Sequence, residues 1–246
     1  GVIVVGEGEL TAEYRVQLGG LTAGTHTIGL RHSKKLSPAA DGSVLLHVPA
    51  AISVLAPNDP GYDALRFAPV LAGIDRDLNA ISDHPGNAVS DVPVIQYVRG
   101  VPGVGKTTYR YTMIWSNEDG GTGLYPDVLF SQWGRTTDIE GVVEVDVLDG
   151  GTLDEVRFRP DESGSLSVFN GAFFGTHPII RTSSQNGLVE DDADSTLRFL
   201  LAPFEFDDTG GARERGMDLD PMSYRMMAKE LLRELKTEPE PNATTK

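Results

Sequence analysis

Residues 100–115 read GVPGVGKTTYRYTMIW, and the fold turns on the residues after Lys106. The first eight letters, GVPGVGKT, match the phosphate-binding P-loop, where a strand enters a glycine-rich loop and a helix starts directly behind the lysine. Here the lysine is succeeded by Thr107-Thr108-Tyr109-Arg110-Tyr111-Thr112-Met113-Ile114-Trp115. β-Branched and aromatic residues favour strands, and a period of two puts Tyr109, Tyr111, Met113 and Trp115 on one face. The expectation is a hairpin loop in which Gly100, Gly103 and Gly105 permit tight backbone angles. A P-loop nucleotide binder remains a third functional reading, and it demands a helix after Lys106.

On either side of this stretch, strand-like runs cover 67–72, 92–98, 128–133, 142–147, 155–159, 166–169, 178–182 and 196–201, with Gly, Asp and Asn between them. Many short strands at close spacing, without the helices that parallel crossovers require, predict an all-β fold with an antiparallel sandwich or jelly-roll-like region. Upstream, Leu10, Ala12, Tyr14, Val16 and Leu18 alternate with polar residues, and further runs at 26–32, 44–48 and 52–55 complete a small β unit over 1–56. The turn formers Ala56-Pro57-Asn58-Asp59-Pro60-Gly61 mark its boundary with the main domain, 57–235. One carboxy-terminal helix is expected, capped by Asp220 with Pro221 at the first helical position and Tyr224, Met227, Leu231 and Leu235 at helical spacing. Its apolar stripe should dock on the β region, and residues 236–246 read as a disordered tail.

The 246 residues carry 36 acidic against 21 basic groups, a net charge of -15. Nucleic-acid affinity rests on cations neutralising phosphates, so a nucleic-acid partner is not expected. With no cysteine, disulfides and sulfur-built zinc sites are excluded. No apolar run approaches the roughly 20 residues of a membrane-spanning helix, so no membrane insertion is expected. An acidic β protein of this kind fits a neutral glycan or other neutral polymer, and a secreted or cell-surface setting.

The segment 109–140 holds both tryptophans and the densest mixture of aromatic, acidic and guanidinium groups. Glu118 and Asp119 sit in a turn with Asn117, while Asp138 and Glu140 are two apart, which on a strand directs both to one face beside Trp133 and Arg135. Paired carboxylates near an aromatic platform are what glycan cleavage uses, one as acid and the other as base or nucleophile. Glu118, Asp138 and Glu140 are therefore the catalytic candidates, joined by His177 in the turn Gly175-Thr176-His177-Pro178. Trp133, Arg135, Asn117 and Asp119 are the substrate-binding candidates, and the same parts serve sugar binding without cleavage. The bland alternative makes the acids loop charges or Arg partners and the tryptophans core.

Residues 146–155, DVLDGGTLDE, partly match a calcium loop: Asp146, Gly151 and Asp154 fall at the first ligand, the turn glycine and the last ligand, and Asp149 is a further candidate. Leu148 and Gly150 stand where carboxylates are expected, so a plain Gly-Gly hairpin competes. This motif supports the second functional reading, a non-catalytic, calcium-stabilised surface or adhesion module.

Overall fold

Lys106 opens a strand. The residues behind it pair antiparallel with neighbours on both sides, in ladders that reach from Pro102↔Thr107 to Pro93↔Trp115 on one edge and from Lys106↔Leu148 to Trp115↔Asp138 on the other. The computed structural model describes residues 16–18, 23–27, 29, 53–72, 93–115, 138–161, 163–183, 187–191 and 198–205. Among them the elements in chain order are α1 (Tyr62–Arg66), β1 (Val70–Ala72), β2 (Pro93–Pro102), β3 (Lys106–Trp115), β4 (Asp138–Leu148), β5 (Leu153–Phe158) and β6 (Ser167–Val168). Then come β7 (Phe173–Phe174), β8 (His177–Thr182), β9 (Val189–Glu190), β10 (Arg198–Phe199) and β11 (Phe204–Glu205).

Two mixed sheets result. One has the order β11-β2-β3-β4-β5-β6, an antiparallel meander from β2 to β6 with β11 added parallel to β2. The other runs β10-β1-β8-β7, with β1 and β8 parallel and β9 also paired to β8. Tyr111, Met113, Val143, Val145, Val156 and Phe158 of the first sheet share one buried cluster with Leu71, Ile180 and Phe199 of the second. The sheets therefore pack face to face as a β-sandwich-like, all-β fold. Each large apolar side chain buried there is worth roughly 1.5–3 kcal/mol relative to exposure.

The glycine-rich loop is a tight connection between β2 and β3. Gly103 N donates to Lys106 O at 2.8 Å, Gly105 has φ 75°, and Val104 stands fully exposed at the tip. A strand occupies the place of the helix, so the P-loop geometry is not formed. The predicted strand 67–72 shortens to Val70–Ala72 because a helical turn precedes it. Just before that turn Asp59 accepts from Ala56 N at 2.7 Å, and Tyr111 donates its hydroxyl to Ala64 O at 2.8 Å, pinning α1 to the core. The end of the predicted strand 9–18 meets the main β region, where Val16 bridges Leu201 and Gln17 N donates to Leu200 O at 3.0 Å. The predicted strand 52–55 does not form, since residues 53–55 belong to no strand, and residues 26, 27 and 29 of the run 26–32 are exposed and equally outside any strand. The run 44–48, the run 128–133, the helix beyond residue 220 and the tail 236–246 lie outside the described residues. Among the described residues no helix is long and apolar enough to cross a membrane.

Candidate functional site

The register Trp115↔Asp138 brings both ends of the connection 116–137 together at one end of the meander. Asn117, Glu118, Asp119, Trp133 and Arg135 belong to that connection and lie outside the described residues. Asp138 is the first residue of β4, opposite Trp115, and Glu140 lies opposite Met113, so the spacing of two on an extended strand is as expected. Trp115 is 1% exposed and belongs to the core.

Glu140 accepts from Arg159 Nη1 in a half-buried ion pair across β4 and the end of β5. In the same cross-strand row, Gln96 of β2 lies opposite Met113. Gln96 Nε2 and Gln17 Nε2 both donate to Pro69 O, at 3.3 and 3.4 Å. Gln17 Oε1, Gln96 Oε1, Trp115 Nε1 and Arg159 Nε are buried without a hydrogen-bond partner. Buried polar atoms without partners therefore occur towards the Trp115 end of the meander. Gln17, Gln96 and Arg159 escape a sequence reading, since nothing local distinguishes them from surface residues.

His177 sits at the start of β8, at a strand end as expected, but its ring is buried. One nitrogen, Nδ1, meets Ala68 O at 2.9 Å, and the neighbouring Thr176 hydroxyl donates to Arg66 O at 2.5 Å. Burial lowers the pKa of His177 from its ordinary value against the opposing effect of the Ala68 carbonyl. His177 and Glu140 stand on different sheets, and each has a partner of its own.

The other face of the meander carries a network of charges. Asp146 is 1% exposed, opposite Thr108 in register, and accepts from Thr108 Oγ1 at 2.7 Å, Lys106 Nζ at 2.6 Å and both terminal nitrogens of Arg157 at 3.0 and 3.1 Å. Burial alone would raise its pKa, but the hydrogen bonds from Lys106, Thr108 and Arg157 outweigh it and hold the carboxyl at about 2. Arg157 also donates to Glu144 at 3.1 Å and Glu155 at 2.7 Å, and Glu144 binds Arg110 Nε at 2.9 Å.

Asp154 lies 3.3 Å from Lys106 Nζ, so the lysine ammonium stands between two of the three expected calcium ligands. Asp149 is exposed at the β4–β5 turn and donates its N–H to Gly105 O at 3.1 Å. Among the described residues no group of three or more His, Asp or Glu side chains is arranged to hold a metal ion. The strands on either side of the Gly151 turn, φ 75°, form the Gly-Gly hairpin that competed with the calcium loop.

No protein-family model and no curated protein matches this chain. Among solved structures, the chain is similar to the crystal structure of Necrosis and Ethylene inducing Protein 2 from the causal agent of cocoa's Witches' Broom disease. That likeness has a TM-score of 0.41 and 16% sequence identity, and it covers 74% of this chain and 94% of that one.

Proposed function

We propose that this chain is a non-catalytic recognition module, acting outside the cell, that binds a neutral glycan through the connection 116–137. One observation carries the choice of binding over cleavage: Glu140 is ion-paired to Arg159. A general acid must hold a proton and a base or nucleophile must reach the substrate, whereas this carboxylate is held by a guanidinium at hydrogen-bond distance. Supporting the placement, the connection leaves and re-enters the meander at adjacent positions, Trp115 and Asp138, and carries Trp133 for stacking and Arg135, Asn117 and Asp119 for hydroxyl groups. The net charge of -15 fits an uncharged polymer better than an anionic one.

The test is a titration of the whole chain against a panel of neutral oligosaccharides, with reducing-end release followed in parallel. Saturable binding without turnover, weakened about tenfold or more by Trp133→Ala and unaffected in affinity by Glu140→Gln, is the expected result. Turnover that Glu140→Gln abolishes would make the protein a hydrolase, and no binding at all would remove the glycan reading.

A further inference from the structure

Gln96 of β2 is fully buried and lies opposite Met113 of β3, whose side chain belongs to the cluster between the sheets, so the glutamine shares that inner face. Gln17, also buried, reaches the same place from the amino-terminal segment, where Val16 bridges Leu201 and Gln17 N bonds Leu200 O. Both carboxamides donate through Nε2 to the carbonyl of Pro69, the residue before β1. Pro69 O can only accept, and two donors fill its two lone pairs, which fixes the orientation of both amides. Each Oε1 is then a buried acceptor with no partner. Trp115 stands two residues beyond Met113 on the same face, a diagonal neighbour of Gln96 at about 7–8 Å between Cα atoms, within reach of a long aromatic side chain. Its Nε1 is a buried donor, likewise without a partner.

We infer that one internal water molecule binds between Gln17, Gln96 and Trp115, donating a hydrogen to each carboxamide oxygen and accepting from the indole N–H. The chemistry of the three atoms selects it. Two acceptors and one donor match the two hydrogens and a lone pair of water, and internal waters make about three such bonds. An alkali ion would meet the positive end of the Trp115 N–H dipole and two uncharged oxygens, which do not offset its dehydration. An anion would meet the two carboxamide oxygens, and a lone hydroxyl has a single hydrogen for two acceptors. The water ties three parts of the chain together. Gln17 belongs to the amino-terminal segment, Gln96 to β2, and Trp115 is the last residue before the connection 116–137. The seat of residues 16–18 is therefore polar and specific, since an apolar side chain at position 17 would take a donor from Pro69 O and an acceptor from the water.

The test uses the intact chain labelled with nitrogen-15 and reads magnetisation transfer from water to the indole N–H protons by NMR. Trp133→Phe assigns the Trp115 signal, because the chain has two tryptophans. A water held for longer than the protein takes to tumble gives cross-peaks of opposite sign in the laboratory and rotating frames, whereas proton exchange gives the same sign in both. Opposite signs at the Trp115 indole proton are expected, weakened several-fold in Gln17→Met and in Gln96→Met, each of which leaves Pro69 O one glutamine donor. The reading on the native chain stands whether or not the variants fold. No water cross-peak there, or a full one retained in both folded variants, overturns the inference. A thermal midpoint raised by potassium chloride but not by choline chloride, with no water cross-peak, would make a cation the occupant and overturn it equally.

Discussion

Lys106 Nζ lies 2.6 Å from Asp146 Oδ2, although its own cross-strand partner is Leu148 and Asp146 is paired with Thr108. The lysine reaches diagonally along the sheet to a carboxylate that burial would otherwise penalise. In a phosphate-binding loop that ammonium would face a ligand, and here it is committed to an internal acid, with Asp154 as a second partner. Removing the Asp146 charge takes one carboxylate from Arg157, which keeps Glu144 and Glu155, and leaves Lys106 with Asp154 alone. Asp146→Asn should therefore destabilise by about 1–3 kcal/mol, read as a lower midpoint in urea denaturation with unchanged slope. Lys106→Met should cost less, because Arg157 and Thr108 still satisfy the acid.

Acid should unfold the protein through the same group. Asp146 is held at about 2 in the folded state against an ordinary value of 3.8. Above about pH 4 it is charged in both states and its stabilisation is complete; as pH falls from about 4 towards 2, the unfolded chain takes up the proton first and stability drops. The loss is on the order of 2 kcal/mol. Denaturation curves between about pH 5 and 2 should show that slope in the native chain and a shallower one in Asp146→Asn.

His177 contributes in a higher window with the same direction. Its pKa is lowered on folding, so above the ordinary value of 6.5 it is neutral in both states and costs nothing. As pH falls below that value the unfolded chain binds a proton that the folded chain resists, and stability declines. His177→Asn keeps a donor near the Nδ1 position for Ala68 O and removes the titration. The expected result is a pH-dependent midpoint between about pH 7.5 and 5 in the native chain that flattens in the variant.

The meander was legible because β2 to β5 are long enough for a period of two to repeat and because Thr107 to Trp115 reads as nothing else. The strands β7, β9 and β11, each two residues long, carry no period at all, and α1 is a single turn held by Tyr111, whose hydroxyl reaches it from 47 residues away. At the site, the tendency of strand-end acids to pair with arginine applies to Glu140, but the partner is Arg159, just past the end of the next strand. Sequence proximity points instead to Arg135 as the nearby cation. His177 is placed at a strand end by its own turn, whereas its burial depends on Ala68, 109 residues earlier. Local pattern reports which face a residue takes, and the partner on that face is supplied by distant chain.

One glycine ties the β6–β7 edge to the body of the sandwich. A Cβ on Gly171 would lie 2.3 Å from Asp191 O and 2.8 Å from the Phe169 ring, and no positive φ is involved, so the constraint is contact alone. Asp191 O is backbone, and it is held near by the Asp191 carboxylate accepting from Asn170 N, so it cannot move aside without losing that bond. Gly171→Ala should therefore destabilise by about 1–3 kcal/mol, as overpacking does. Gly141→Ala, with nothing within 4 Å of its Cβ, should stay within about 0.5 kcal/mol. Equal stability of the two alanine variants would mean that the chain between β6 and β7 is not seated against Asp191.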